Sequence, residues 1–269
     1  MWRPCQNTPS VDITRCVRVS RQPGGRFIVS STPGTTPTGR GQLTRTVILR
    51  AGIAFIDDNG ARDLTMRRLG ALLGVEAMAL YHYFGGKEEL LDGIVDQVID
   101  DLGSDPQVLM KGASSWQDYL QRLAHGVRRM ALEHPEVFPL IATRPNSAPW
   151  VRPPLRSVRW LENFLSSLKE WGFDDAAAAA AYRSYTSFLL GQLLLEVSAQ
   201  GVSIGPTDPN DPDDPRATAQ PGDDIDPTEF PTVVRMKAEL ARDLGLPEFE
   251  KALEALLDRL AATLPQVDG

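Results

Sequence analysis

"LTMRRLGALLGVEAMALYHYFGG", residues 64–86, decides how this chain is read. Thr65 is suited to cap a short helix, because its hydroxyl can accept from amides of the first turn. Leu69, Leu72 and Leu73 give that helix a buried face, and Gly74 stops it. A second short helix is expected from about Ala77 to Phe84, with Leu80 and Phe84, four residues apart, turned inward. Ala77, Met78, Ala79, Tyr81, His82 and Tyr83 are then left facing out. Three polar-tipped rings crowded on one turn can donate to phosphate oxygens and so position a helix on a duplex.

The flanks supply the rest of a unit. Val47, Ile48, Ala51, Ala54 and Phe55 fall at helical spacing before the turn "DDNG" (57–60). "GGKEELLDGIVDQVIDDL" (85–102) predicts a longer helix with Leu90, Leu91, Ile94, Val95 and Val98 inward. Three short helices followed by a long linking one form a helix-turn-helix unit. The second helix of such a pair enters the major groove and presents its first turn to base edges.

Beyond residue 103 the helices lengthen. Helices are expected over 115–135, over 153–173 and over 174–200, with a short piece at "VFPLIA". The alanine run and later leucines of 174–200 make it apolar nearly all round, hence buried on several sides. Residues 203–231 form an acidic proline-rich loop, and two more helices close the chain. Residues 1–43, rich in Pro, Gly, Ser, Thr and Arg, are expected to be a disordered basic arm. That arm is either an extension without a role or a reach towards phosphates or a minor groove.

The totals fit an all-α chain: 42% hydrophobic, 23% charged and 7% aromatic residues, without runs of alternating β-branched residues. The net charge of −7 argues against a non-specific nucleic-acid coat. It is unevenly spread, with six arginines against Asp12 alone in residues 1–43. No run of about 18 apolar residues is present, so no membrane span is expected. Cys5 and Cys16, far apart and without nearby histidines, read as free thiols of a cytoplasmic protein.

Residues 44–103 resemble the DNA-binding domain of the TetR family of bacterial repressors. The family's leucine–threonine start, Ala- and Leu-rich helix, Gly-Val turn and Leu-Tyr-x-[His/Tyr]-Phe-x-x-Lys close stand here as "LTMRRLGALLGVEAMALYHYFGGK". Glu76 departs from the serine often found at the cap. "ATRP" (142–145), "GFDD" (172–175) and "FLLG" (188–191) are similar to the tetracycline-repressor branch. The resemblance implies an N-terminal three-helix reading domain (44–103) and a larger ligand-binding and dimerisation domain (104–269), paired through about 174–200 and 248–264. It implies base reading by Arg67, with Arg68 on the backbone, although spacing alone does not separate the two. Lys87, at a helix N-terminus, suits a phosphate. Tyr81, Tyr83 and His82 are each either DNA contacts or plain packing.

The same resemblance places His125, Arg128, Met130, Phe138, Trp160, Phe164, Tyr182, Tyr185, Phe188 and Gln192 around an effector cavity, though an aromatic stripe at this spacing is also ordinary core. His125, Arg128 and Gln192 are its candidate polar groups. The branch's metal-bound drug is not expected, since Leu140 stands where its histidine would, and Leu195 near its carboxylate, with Glu196 one residue out of phase. No metal, cofactor or catalytic site is expected. His125 and His134 lack the i, i+4 spacing of a ligand pair, and "GGKEE" lacks the flanks of a phosphate loop. The expectation is a homodimeric, ligand-responsive DNA-binding regulator, a repressor before an activator. The alternative is a helical adaptor for small molecules or proteins without a specific operator.

Overall fold

Five of the described helices begin where a hydroxyl or carboxylate, that of Thr44, Thr65, Ser115, Ser157 or Asp174, accepts from a first-turn amide. The computed structural model describes residues 18–21, 27–30, 43–108, 112–144, 150–153, 157–202, 226–242 and 245–262. Thr44 accepts from the Val47 amide at 3.2 Å and opens α1, Arg45–Asn59. Thr65 accepts from the Arg68 amide at 3.1 Å and opens α2, Met66–Leu73. Gly74, at φ 69°, adopts the left-handed conformation that ends α2 and turns the chain into α3, Ala77–Tyr81. The long helix α4 runs Lys87–Gly103.

Two of these elements differ from the sequence reading. The third helix stops at Tyr81 rather than Phe84, and the last residues curl so that Tyr83 and Phe84 both donate to the Leu80 carbonyl. The Gly85-Gly86 pair that follows has little helical preference. Leu72 is exposed, not buried: in this eight-residue helix the inward positions are Met66, Leu69, Gly70 and, partly, Leu73, and Leu72 lies off that stripe.

The larger part of the fold is built from α5 (Trp116–Glu133), α6 (Phe138–Thr143), α7 (Val158–Glu170), α8 (Asp175–Ala199), α9 (Pro231–Leu240) and α10 (Gly245–Ala261). Helix α8 is the hub, packed by α5, α6, α7 and α10, while α4 connects to α5 and is itself packed by α1. One buried cluster runs from Ile48 in α1 to Leu260 in α10, so residues 43–269 form one compact unit. Close approach of α1 to α4 relies on Gly52, where a Cβ would meet Ile94 Cδ1 at 2.6 Å. Helix α8 is not buried all round: Arg183, Ser184, Ser187, Gly191 and Leu195 form an exposed strip. Helix α9 has no buried residue and shows Val233, Met236 and Leu240 outward.

Residues 1–42 make a separate unit. The arm expected to lack regular structure carries two antiparallel strands, β1 (Arg18–Arg21) and β2 (Phe27–Ser30), with Arg18 opposite Ser30 and Arg21 opposite Phe27. Val17, Val19, Phe27 and Val29 alternate on either side of Pro23-Gly24-Gly25, a period of two that a search for helical period passes over. The remainder of the arm with both cysteines, Pro145, and 203–225 of the acidic loop lie outside the described residues. No described helix is long and apolar enough to cross a membrane.

Candidate functional site

The α2–α3 pair leaves its outward residues along one exposed edge. Met78 is 70% exposed and Tyr81 46%, and His82 lies in the open beside them. Ala77 and Ala79 are half-buried, so only their methyl edges reach outward. Arg67, exposed on α2, has no hydrogen-bond or ion-pair partner among the described residues. Arg68 is engaged by Asp63, whose carboxylate it meets at 2.9 Å and whose carbonyl it meets at 3.0 Å. These two arginines, inseparable by spacing, are therefore separated by their neighbours.

Tyr83 does not face out as expected. It is half-buried, its hydroxyl donates to the Leu43 carbonyl at 2.6 Å, and its own carbonyl accepts from Arg45 at 3.0 Å. The Arg45 guanidinium also lies 4.2 Å from the centre of the Phe84 ring. Tyr83 thus ties the end of the α3 turn to the start of α1. Lys87 is half-buried and donates to the Arg62 carbonyl at 3.1 Å, and burial holds its ammonium below the usual lysine range. That leaves part of its donor capacity for a phosphate. Glu89 accepts from the Gly85 amide at 2.7 Å and closes the N-terminus of α4.

Gly70 was not singled out by the sequence reading, yet it fixes the α2–α3 angle. A Cβ there would sit 2.9 Å from the Val75 carbonyl oxygen and 3.3 Å from the Ala77 nitrogen. The available signal was a glycine inside an eight-residue helix, which lowers helix stability unless something approaches closely.

Besides the packing of α4 on α5, two polar contacts among the described residues tie α1 and α4 to the helices that follow. Arg144, just after α6, donates to Asp92 at 2.7 Å and to Glu88 at 2.7 Å, both on α4. Its side chain is only 13% exposed. His134, just after α5, meets Asp57 of α1 at 2.7 Å. The other oxygen of Asp57 is buried without a partner among the described residues, so the histidine is its main relief. That hydrogen bond raises the His134 pKa above its ordinary 6.5, helped by the charges of Asp57, Glu133 and Asp101 and opposed by burial. Glu136, on the same seam, is also pushed up, chiefly by burial. A pKa raised on folding gives stability that is complete below about 6.5 and is lost as pH rises through the folded value. His134→Gln should therefore cost most near pH 6 and progressively less towards pH 9, as read by thermal unfolding of both proteins across that range. A cost independent of pH would show that the contact does not depend on the proton.

Between α4, α5, α6, α7 and α8 lies a cavity of about 510 Å³, its open mouth included. Its wall is Ile99, Leu102, Val127, Met130, Phe138, Ile141, Trp160, Thr186, Leu189 and Leu190. Of the residues expected around an effector, Phe138, Trp160 and Met130 are on this wall. The others stand elsewhere, for definite reasons. Arg128 forms a two-pronged pair with Glu196 of α8, both side chains 17% exposed. His125 and Phe188 pack on Phe249 of α10. Phe164 is core between Trp160, Tyr182 and Tyr185. The Tyr185 hydroxyl donates to the Leu120 carbonyl at 2.6 Å and that of Tyr182 to the Pro153 carbonyl at 2.8 Å. Burial pushes both phenols up, Tyr182 to about 12. Gln192 is half-buried on α8, one turn beyond Leu189. The wall residue with an unmatched polar atom is instead Thr186, whose hydroxyl oxygen is buried with no partner among the described residues. No group of three or more metal-ligating side chains stands among the described residues.

Comparison with known proteins places both halves. The family described as bacterial regulatory proteins, tetR family, matches residues 48–94, and the tetracyclin repressor-like C-terminal domain matches residues 110–264. A curated HTH-type transcriptional regulator of Saccharopolyspora erythraea is 27% identical over 57% of this chain and 61% of its own length. The alignment thus spans about three-fifths of that relative. A crystal structure of a possible TetR family transcriptional regulator from Streptomyces coelicolor is similar with TM-score 0.61 and 26% identity, over 81% of this chain and 99% of that one. The Streptomyces coelicolor TetR family protein ActR, solved in complex with actinorhodin, shares the fold at TM-score 0.60 and 23% identity, over 82% of this chain and 98% of that one.

Proposed function

This chain belongs to the TetR family, with a tetracycline-repressor-like C-terminal domain, and on that premise we propose that it is a homodimeric transcriptional repressor released from a palindromic operator by a small-molecule effector. Residues 44–103 act as the reading head and 104–269 as the effector and dimerisation region. The observation that carries this reading is the exposed edge of Met78 and Tyr81 on α3 and His82 just after it, together with exposed Arg67 on α2, which has no partner among the described residues. Arg67 reads a base edge, Tyr81 and His82 hold phosphates, and Met78 meets shape and thymine methyls. Two heads then occupy successive major grooves, their half-sites about 34–36 Å apart or a small multiple of that.

Dimerisation runs through α8 and α10. It is supported by the exposed strip of Ser184, Ser187 and Gly191, whose small side chains let a second helix approach, and by exposed Leu195 beside them, an apolar side chain that a partner would cover. The effector occupies the cavity. Phe138 and Ile141 of α6 are on its wall, and Arg144 at the end of α6 grips α4, so occupancy bears on the helix that follows the reading unit. Decisive release needs a preference on the order of 10⁴-fold, about 5.5 kcal/mol, for the conformation whose heads no longer fit the operator. Such a protein works in the cytoplasm, with DNA and a small molecule as partners.

The test is fluorescence anisotropy of the purified protein on DNA from upstream of its own gene, at several salt concentrations. Tight binding with a steep salt slope and two protomers per site is expected. Arg67→Ala should relax preference at one base position by about 1–3 kcal/mol, whereas Tyr81→Phe should weaken all sequences alike. Specific binding that neither change alters would sink this docking arrangement.

A further inference from the structure

The cavity is lined by apolar side chains apart from Trp160, whose indole carries an N–H, and Thr186, whose hydroxyl oxygen is buried and unmatched among the described residues. A threonine within a helix usually satisfies its hydroxyl against a carbonyl of the preceding turn. Here that oxygen is buried with no partner among the described residues, on a residue that is 5% exposed. A buried polar atom left unmatched is costly, and a guest that supplies its partner recovers that cost. No charged side chain is on the wall, and Arg128, the cation on the adjoining helix, is spent on Glu196. A charged guest would lose its hydration with nothing to replace it. The Trp160 and Phe138 rings on the wall favour a flat guest.

Resting on the reading of this cavity as the effector site, we propose that its ligand is an uncharged, mostly apolar ring compound with one hydrogen-bonding group that meets Thr186. Highly oxygenated, metal-chelating or anionic molecules are outside the class.

Three probes of one ring system separate the possibilities: 2-naphthol, 2-methylnaphthalene of nearly the same shape, and anionic 2-naphthoate. Binding to the full-length protein is followed by calorimetry and by thermal shift. The expected order is 2-naphthol tightest, with 2-methylnaphthalene about fivefold to tenfold weaker and 2-naphthoate weakest. Thr186→Val should abolish the difference between the first two while raising the melting temperature of the unliganded protein, and Thr186→Ser should retain the difference. Equal binding of the two neutral probes by the natural protein overturns the role of Thr186 but leaves the cavity as a binding site. So does a preference that survives Thr186→Val. Tightest binding of 2-naphthoate overturns the uncharged class and also leaves the cavity in place. Failure of all three to bind overturns the proposal and, with it, the cavity as an effector site for molecules of this size.

Discussion

Gly70→Val should reduce operator affinity by on the order of 100-fold or more while leaving most of the helical body folded. A Cβ at this position falls 2.9 Å from a backbone carbonyl and 3.3 Å from a backbone nitrogen, neither of which can rotate aside. Overpacking of this kind costs about 1–3 kcal/mol where side chains can adjust, and at about 1.4 kcal/mol per factor of ten the upper end of that range applies here. The strain is relieved by opening the angle between α2 and α3, which moves Arg67 away from Met78 and Tyr81. In the proposed homodimer the defect would be present twice. Gly74→Ala makes the informative partner, because no atom lies within 4 Å of the Cβ it adds and only its positive φ is at issue. Operator titrations with far-ultraviolet dichroism on both variants check this. Undiminished binding by Gly70→Val would mean that the α2–α3 angle does not set the reading surface.

Arg128→Leu should lower the melting temperature by roughly 10 °C. Removing one partner of a buried ion pair leaves the other charge without compensation, at about 3–5 kcal/mol, and a chain of this size loses about 2–4 °C per kcal/mol. Glu196 would be that stranded charge, held on α8 against α5. Arg128→Leu with Glu196→Leu should recover most of the loss, since a pair replaced whole by apolar groups is often neutral or better. Thermal unfolding of the three variants gives the cycle. If the single change were harmless and the double one damaging, the pair would not be a structural clamp between α5 and α8.

The reading head was legible because its signals are local. Thr65, Gly74, Leu80 and Phe84 each do in the fold what their neighbours in sequence require of them. Tyr83 escaped because its hydroxyl is claimed by a carbonyl 40 positions away, and no helical period encodes that. Gly70 left a trace in the sequence, but the backbone it nearly touches comes after the turn. Around the cavity, the period of three to four told which side chains point inward. It could not tell which of those enclose space, because that depends on how α4, α6 and α7 are spaced. Arg128 and Glu196 are 68 residues apart, so the arginine read as an available cation is in fact consumed.

Helix α6 is only six residues, about 9 Å long, and is fastened near both ends to different helices of the head. His134, four residues before it, holds Asp57 of α1, and Arg144, directly after it, holds Asp92 and Glu88 of α4. A rod pinned at two separated points transmits its own rotation to the load it holds. Any tilt of α6 shifts one pin against the other and applies a torque. Because α1 and α4 are packed on each other, unequal displacement of the two pins would turn that pair as one body.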